Sequence, residues 1–532
     1  MKLRSILATA SAGLLLASGT AQAHDDEGKG QVGRVKFTNS CDAKVQPLLE
    51  TGVAMLHSFW FSATEKTFRD VLAQDPSCTI ANWGIAAILM SNPLAGVGAS
   101  PKGAALAQEA IDQGRRVSPK TQRERDYIEA VAAYYQDFST RPERSRQESR
   151  AKAFEELAAR YPEDDEARIF NALYIAGTQT QADQTYAAYL KAAAILETLF
   201  VKYPEHPGVA HYLIHSYDAA PIARQGLPAA RRFASIAPAA PHALHMPSHI
   251  FTRVGAWEDS VATNERATTV AIKGGEGHEA YHATDYSVYA YLQLARDGDA
   301  KRAMEEVLKV TDINPATAFL RFYASATMPA RYAIERGAWR EAMQLQPQAT
   351  KLLFPDAITY FARALGAARS GDIAAAEKDA EELARLHKAL QDAKNNYWAT
   401  EVEIQRLAVA GWIAFAQGKT DDAQKLMRAA ADLEDKNEKH IVTPGRIVPA
   451  RELLGDMLLA LKQPAQALKE FEASQVREPN RFRGHYGAAR AAEAAGDRRK
   501  AADYYAKLME LAKKGDTQRP EVVRARAYVA QR

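Results

Sequence analysis

The sequence predicts an all-α protein, a right-handed array of stacked helical hairpins. Amphipathic helical patterns rich in alanine fill almost the whole chain after residue 40, and no alternating pattern typical of β-strands interrupts them. The chain has 532 residues, whereas a single hydrophobic core rarely grows beyond about 250–300 residues. A short phrase also recurs along the chain. Together these observations favour an elongated repeat array.

The recurring phrase is a glycine or polar turn, then A-x3-[FY]-x2-A, then proline. Copies begin at Gly298, Gly337, Gly371, Gly418, Lys462 and Gly496. The small residues let two helices approach closely, the aromatic ring fills the gap beside them, and proline ends the hairpin. Turn glycines tolerate the left-handed backbone that ends a helix. The phrase resembles the tetratricopeptide-repeat (TPR) family over most of residues 45–515, which implies about eight to ten hairpins.

The N-terminus has the features of a signal peptide. Lys2 and Arg4 are basic, residues 6–18 are apolar, and residues 21–23 read Ala-Gln-Ala, a small-x-small cleavage site. We expect cleavage near Ala23 and a periplasmic or secreted mature protein. No later segment is long and apolar enough to span a membrane.

The remaining chain divides into three expected parts. Residues 24–40 are expected to form a flexible leader. An N-terminal TPR-like array with a histidine-rich groove is expected at 41–270, and a C-terminal TPR-like array at 271–532. Cys41 and Cys78 flank one predicted hairpin and are the candidate disulfide of an exported protein, the alternative being two separately buried thiols.

Charge and motif content exclude several functions. Lys and Arg number 68 against 65 for Asp and Glu, and the two signs are interleaved. This distribution lacks the basic face of a nucleic-acid-binding protein. The sequence also lacks a glycine loop for phosphate and a G-x-S-x-G nucleophile turn.

Histidines are concentrated between residues 206 and 282. The phrases HPGVAHYLIHSYD (206–218) and PHALHMPSHIF (241–251) each contain histidines four residues apart. Residues at this spacing share one helix face, with Cβ atoms about 5–6 Å apart. A third helix carries two more histidines and an aspartate on one face. The candidate groove residues are His211, His215, His242, His245, His249, His278 and His282.

Repeat position predicts that the two pairs converge. Counted from Pro204 and from Gly255, both pairs fall at the fifth and ninth positions of a first helix. In proteins that resemble TPRs, these positions face the concave groove. First helices of consecutive hairpins are neighbours, and packed helices lie about 8–10 Å apart. We therefore expect the imidazoles to meet in one hollow.

Two interpretations of this hollow stay open. Neutral imidazoles suit a divalent transition metal such as Zn, Cu or Fe, with Tyr217, Asp218 and Asp285 as hydrogen-bond partners of the ligands. Alternatively, the histidines form a polar groove that binds a protein, a peptide or a small ligand without metal.

HEAYH at 278–282 adds a third interpretation, because it matches the zincin pattern H-E-x-x-H. His278 and His282 would then bind zinc, and Glu279 would be the general base. Cleavage after Ala23 would also leave His24 at the N-terminus, where its amine and imidazole can chelate copper.

The phrases LHSFWFSATEKTF, HPGVAHYLIHSYD and HALHMPSHIFTRVGAW together resemble a group of bacterial exported TPR proteins without an established activity. The resemblance implies fold and location. The sequence therefore predicts a periplasmic binding or scaffold protein whose groove holds a ligand, a peptide or a metal. The alternative is a metal-dependent hydrolase or oxidoreductase with a histidine-ligated centre.

Overall fold

The fold was described from a computed structural model. It covers residues 31–311, 313, 318–348, 350 and 352–531. The predicted signal peptide and the His24 amino terminus lie outside these residues. Within them the chain is helical and contains no β-strand. None of the described helices combines the length and apolar character that a membrane span needs.

The first half of the array consists of helices of 5 to 18 residues. They are α1 (Gln46–His57), α2 (Phe61–Gln74), α3 (Ile80–Leu89), α4 (Pro101–Val117), α5 (Gln122–Tyr135), α6 (Glu143–Arg160), α7 (Asp165–Ala176), α8 (Ala187–Lys202), α9 (Pro207–Ser216), α10 (Leu227–Ile236), α11 (Pro241–His245) and α12 (Pro247–Arg253).

The second half continues in the same way. Its helices are α13 (Trp257–Lys273), α14 (Gly277–Gln293), α15 (Asp297–Val307), α16 (Ala318–Glu335), α17 (Trp339–Met343), α18 (Leu353–Ser370), α19 (Ile373–Asp392), α20 (Asn396–Ala416), α21 (Thr420–Asp435), α22 (Ala450–Ala460), α23 (Pro464–Arg477), α24 (Phe482–Ala494), α25 (Arg498–Leu511) and α26 (Pro520–Ala530).

Consecutive helices pack as hairpins, and the first helix of each hairpin also touches the first helix of a neighbouring one. The hairpins run from α1/α2 through α9/α10, then α11–α12/α13, then α14/α15 through α24/α25. This confirms the predicted α-solenoid of TPR-like hairpins. The hairpins outnumber the eight to ten expected, because residues 101–160, which carry no copy of the recurring phrase, also form helices that pack in hairpins.

Most predicted turn glycines have the left-handed backbone expected of them. Gly371, Gly418 and Gly496 have φ of 84°, 78° and 84°. Gly298 differs, because α15 already begins at Asp297 and the left-handed position before it is taken by Ala295, with φ of 54°. The repeat phrase thus located the hairpin but missed its turn by three residues.

The array curls back on itself twice. Helix α1 touches α9, and α14 touches α24. At the second closure the Trp257 indole donates to the Asn480 carbonyl at 2.6 Å, and the Asn480 amide donates to the Gly255 carbonyl at 2.8 Å. The predicted boundary at residues 270/271 falls inside α13, where Ala271 is fully buried, so packing continues across it.

The described part of the expected leader packs against the array. Phe37 is fully buried and stacks on Trp83 with ring centroids 5.2 Å apart. The Arg34 amide donates to the Glu205 carbonyl at 3.0 Å. Residues 31–40 are therefore held in place instead of forming the flexible leader expected, because Phe37 and Val32 enter apolar clusters. A disulfide joins Cys41 to Cys78 at the adjoining hairpin.

Candidate metal centre

Three neighbouring first helices of the array bring the predicted histidines together. Helix α9 carries His211 and His215. Helices α11 and α12 form one helical path, because Met246 between them keeps helical backbone angles. Pro247 at the junction has no amide hydrogen and interrupts only the hydrogen-bond ladder. Three histidines therefore stay on successive turns of this path, next to α9 and α14.

Six histidines form two groups whose ligand nitrogens lie within 4.8 Å of one another in each group. Trio A consists of His211, His215 and His242. Trio B consists of His245, His249 and His282. We call the six residues the histidine sextet. The trios adjoin, since the rings of His215 and His249 are 5.7 Å apart and those of His242 and His245 are 6.1 Å apart. The expected convergence of the two helical pairs is present in this geometry.

Within trio B the hydrogen bonds fix where the ring protons lie. His245 Nδ1 is 2.6 Å from Asn264 Oδ1, and the Asn264 amide nitrogen donates to the Ser260 carbonyl at 2.7 Å, which fixes the amide orientation. His249 Nδ1 is 2.9 Å from a carboxylate oxygen of Asp218. Both partners are acceptors, so both histidines carry their proton on Nδ1.

The consequence is a pair of facing lone pairs. His245 Nε2 and His249 Nε2 are 3.1 Å apart, and neither neutral ring has a hydrogen there to donate. Burial lowers the pKa of His249 to about 4, although its hydrogen bond with Asp218 acts to raise it. Burial also lowers the pKa of His245 well below its usual value, although its hydrogen bond with Asn264 acts to raise it. An additional proton is therefore disfavoured near neutral pH, and the contact brings two acceptor nitrogens together.

Trio A leaves nitrogen atoms without partners. His211 Nδ1 donates to the His57 carbonyl at 2.6 Å, and its Nε2 is 3.2 Å from His215 Nε2. His242 Nδ1 faces Glu279 Oε2 at 3.2 Å. The other nitrogens of His215 and His242 are buried without a hydrogen-bond partner. Such orphaned buried groups are costly unless something binds them.

Aromatic residues and a loop enclose the sextet. The Phe59 ring lies 4.5 Å from His211, and the Tyr286 ring lies 4.7 Å from His245. The Tyr286 hydroxyl donates to the Thr443 carbonyl at 2.9 Å, in the buried segment 437–443 between α21 and α22. The sextet side chains are between 0% and 7% exposed. The expected open groove is therefore a closed interior, because the array curls and this segment fills the space.

Comparison with known proteins supplies similarity of fold alone. The solved structures similar to the chain include the Cut9–Hcn1 hetero-tetramer of the APC/C, at 12% identity, covering 92% of this chain and 96% of that one, with a TM-score of 0.30. A monomeric IFIT1 mutant with m7Gppp-AAAA shows 13% identity, coverage of 91% and 99%, and a TM-score of 0.37. Yeast Tom70 shows 12% identity, coverage of 91% and 88%, and a TM-score of 0.29.

No family model matches the chain, and no curated protein matches it. The fold is TPR-like. The order and packing of the helical hairpins establish this fold.

Only one of the three predicted hydrogen-bond partners contacts the sextet. Asp218 accepts a hydrogen bond from His249. Burial acts to raise the pKa of Asp218, but the positive charges of Lys439 and Arg253 outweigh it and hold that pKa below its usual value. The Tyr217 hydroxyl instead donates to Glu197 at 3.0 Å. Asp285 instead accepts from Thr327 at 2.9 Å. Spacing did not place Tyr217 and Asp285 against the sextet, because their side chains find partners on other helices, Glu197 on α8 and Thr327 on α16.

The zincin pattern is divided by the fold. His282 joins trio B, but His278 belongs to neither trio. His278 Nε2 lies 3.5 Å from Glu279 Oε1, and its Nδ1 lies 3.6 Å from a Glu276 oxygen. Glu279 faces His242. Burial acts to raise the pKa of Glu279, but the interaction with His242 is the main effect that overcomes it and lowers this pKa to about 2. Glu279 is thus placed to orient an imidazole.

Sequence reasoning missed Asn264, the partner of His245. A signal existed, because Ser260 and Asn264 are four residues apart on the same buried face of α13 as Val261 and Ala267. Buried polar residues on an apolar face need partners. The backbone carbonyl of His57, which accepts from His211, has no sequence signal, since only the closure of α1 on α9 places it there.

A third histidine cluster lies beside trio A. Glu166 on α7 accepts from His206 Nε2 at 2.8 Å and from His57 Nε2 at 2.9 Å. His57 Nδ1 lies 2.9 Å from the Tyr212 hydroxyl, and His206 Nδ1 accepts from the Val209 amide at 3.3 Å. We call His57, Glu166 and His206 the Glu166 cluster. Every ring nitrogen in it has a partner.

Proposed function

We propose that the protein is an exported TPR-type binding or scaffold protein whose interior holds transition-metal ions through the histidine sextet. The observation that carries this proposal is the 3.1 Å contact between the Nε2 lone pairs of His245 and His249. Both rings are pinned by acceptors at Nδ1, so only a cation between them makes the contact favourable.

The donor set supports a transition metal. Neutral imidazoles bind Zn, Cu, Fe and Ni, whereas Mg and Ca prefer oxygen. Ligand histidines typically donate their second N–H to a carboxylate or carbonyl, which fixes the ring. His211, His242, His245 and His249 follow this pattern. Nitrogens 3.1–3.2 Å apart also suit two ligands on one ion, with bonds of about 2.0–2.1 Å.

Two observations favour a holding role over the alternative of a metal-dependent enzyme. The sextet is buried beneath Phe59, Tyr286 and the segment 437–443. Glu279, the candidate general base, is engaged with His242 and has a depressed pKa. Catalytic sites normally lie in clefts that admit substrate. The covered sextet is better suited to retaining an ion than to turning over a substrate.

Export remains part of the proposal. The N-terminal sequence has the layout of a signal peptide. The Cys41–Cys78 pairing is in keeping with an oxidising compartment such as the periplasm. Intact-mass measurement of protein from the producing cell tests it, because cleavage after Ala23 leaves a chain that starts at His24.

Elemental analysis of the purified full-length protein tests the metal assignment. We expect near-stoichiometric Zn, Cu or Fe in the wild type. The pair variant His245→Ala/His249→Ala should lose the trio B metal, because two of three ligands are gone. His278→Ala is the matched control, since this buried histidine lies on α14 with His282 but belongs to neither trio.

The outcomes separate clearly. Metal in the wild type and in His278→Ala, with loss in the pair variant, supports the proposal. Protein that binds no transition metal even after incubation with each ion, while keeping its helical circular dichroism, refutes it. Equal loss from His278→Ala would move the centre to the HEAYH pattern and overturn the assignment of the trios.

A further inference from the structure

The ligand set of both trios is made of nitrogen alone. Each group contains three histidines, and no carboxylate belongs to either. In the usual order of divalent affinity, copper(II) binds nitrogen sites more tightly than nickel, cobalt, iron or zinc, and copper is the metal of this group that proteins also bind in a stable monovalent state. Rigid helices fix the ligands, and aromatic rings and the segment 437–443 close the interior. The donor chemistry thus favours copper.

The surrounding charges limit how much positive charge the interior can accept. The carboxylates bonded to the sextet are Asp218 and Glu279. Asp218 already faces Arg253 at 2.8 Å and Lys439 at 3.3 Å, and Arg253 also faces Glu438 at 3.1 Å. Glu438 in turn faces Arg477 at 3.4 Å, so these three carboxylates and three cations leave little spare negative charge near six neutral ligands.

The small negative charge of the interior therefore favours monovalent ions over divalent ions. Two divalent ions repel each other four times as strongly as two monovalent ions at the same separation. Water, which would screen this repulsion, is largely excluded from side chains that are at most 7% exposed. Charges buried without compensation are costly. So little spare negative charge is far better matched to two monovalent ions than to two divalent ions.

We propose that the sextet holds two copper ions in the monovalent state, one in each trio. This inference rests on the proposed function, because it names the metal that the trios take. His211, His215 and His242 bind one ion, and His245, His249 and His282 bind the other. Glu279, Asp218 and Asn264 orient the rings through Nδ1.

The experiment is an anaerobic titration of the full-length protein after removal of metal by chelation. Cu(I) is added in the presence of bicinchoninate, a coloured Cu(I) chelator, and Zn(II) is added separately against a zinc indicator. We expect about two Cu(I) per chain to be withdrawn from the chelator. Equimolar Zn(II) should not displace them. His282→Ala should reduce the number to about one, and His278→Ala should leave it at about two.

The results distinguish this inference from the proposed function. Two zinc ions held against excess Cu(I) overturn the copper inference and leave the metal-holding role intact. A single copper per wild-type chain overturns the two-ion arrangement. Binding of neither metal by folded protein overturns both proposals. If His282→Ala fails to fold, the wild-type copper number and the zinc competition still decide the outcome.

Discussion

The Glu166 cluster and the histidine sextet are neighbours with similar composition but opposite hydrogen bonding. In the Glu166 cluster and in each trio of the sextet, ligand-type atoms lie within 4.8 Å of one another, and all side chains are buried. In the Glu166 cluster each ring N–H faces an acceptor and each unprotonated ring nitrogen faces a donor. Glu166 accepts hydrogen bonds from two imidazoles. In trio B two lone pairs face each other. Proximity alone therefore does not identify a metal site, whereas the location of each ring proton does.

This comparison also separates stability from binding. The Glu166 cluster ties α7, α9 and the end of α1 together through a carboxylate and two rings. The sextet lacks such internal pairing, so its folding energy depends on what it binds. Variants in the Glu166 cluster should change the free energy of unfolding without changing metal content, whereas variants in the sextet should change metal content.

The largest effect is expected for Glu166→Ala. Removing the carboxylate leaves the N–H groups of His57 and His206 buried without an acceptor, which should lower the free energy of unfolding by about 3–5 kcal/mol. Urea unfolding measures this change. Glu163→Ala, at an exposed site nearby, should change it by less than about 0.5 kcal/mol. Loss of metal from the folded Glu166→Ala variant would contradict the separation of the two clusters.

Acid should weaken the Glu166 cluster in a defined window. Burial opposes ionisation of Glu166, but His206 and His57 outweigh it and hold its pKa at about 2, against 4.5 for a free side chain. A depressed pKa stabilises the fold above pH 4.5, and this stability is lost as pH falls towards 2. The loss amounts to about 3 kcal/mol.

Urea unfolding of wild type and Glu166→Gln between pH 5 and pH 2 measures this contribution, because the other carboxylates titrate in both proteins. The wild type should lose more stability than the variant over the window. Parallel curves for the two proteins would show that Glu166 is not held as an anion by the imidazoles.

Asn264→Ala should act on the sextet. Without the amide oxygen, His245 Nδ1 has no fixed acceptor, and metal affinity should fall by about 10–100-fold. Competition with a chelator measures this affinity. Thr268→Ala, one turn further along α13, is the control and should leave affinity unchanged. Equal affinities for Asn264→Ala and wild type would refute the role of Asn264 in orienting His245.

The smallest effect is expected for Lys439→Met. The ammonium group lies 3.3 Å from Asp218, so its charge opposes a cation in trio B. Its removal should raise metal affinity by about three- to tenfold in the same competition assay. Lys436→Met, at an exposed position in the same loop, should have no effect. A fall in affinity would mean that Lys439 supports the centre through packing around Asp218.

Much of the arrangement of the histidine sextet could be predicted from the spacing of the histidines in the sequence. The pairs His211/His215 and His245/His249 follow from the helical period, and their shared repeat positions predicted that they would meet. His282 was grouped with His278 by the same reasoning, yet only His282 reaches the sextet. Spacing defines a helix face but does not decide how far along that face the neighbouring helix lies.

The sequence by itself determined the helical hairpins and the histidine faces, because helical periodicity, small residues and turn glycines act locally. The tertiary structure alone decided that the histidine sextet is enclosed. The curl of the array placed the His57 carbonyl on His211, and the segment 437–443 turned an expected groove into an interior. Both depend on contacts between residues more than 150 positions apart, such as Tyr286 with Ile441 at a separation of 155. Local pattern carries no record of such contacts.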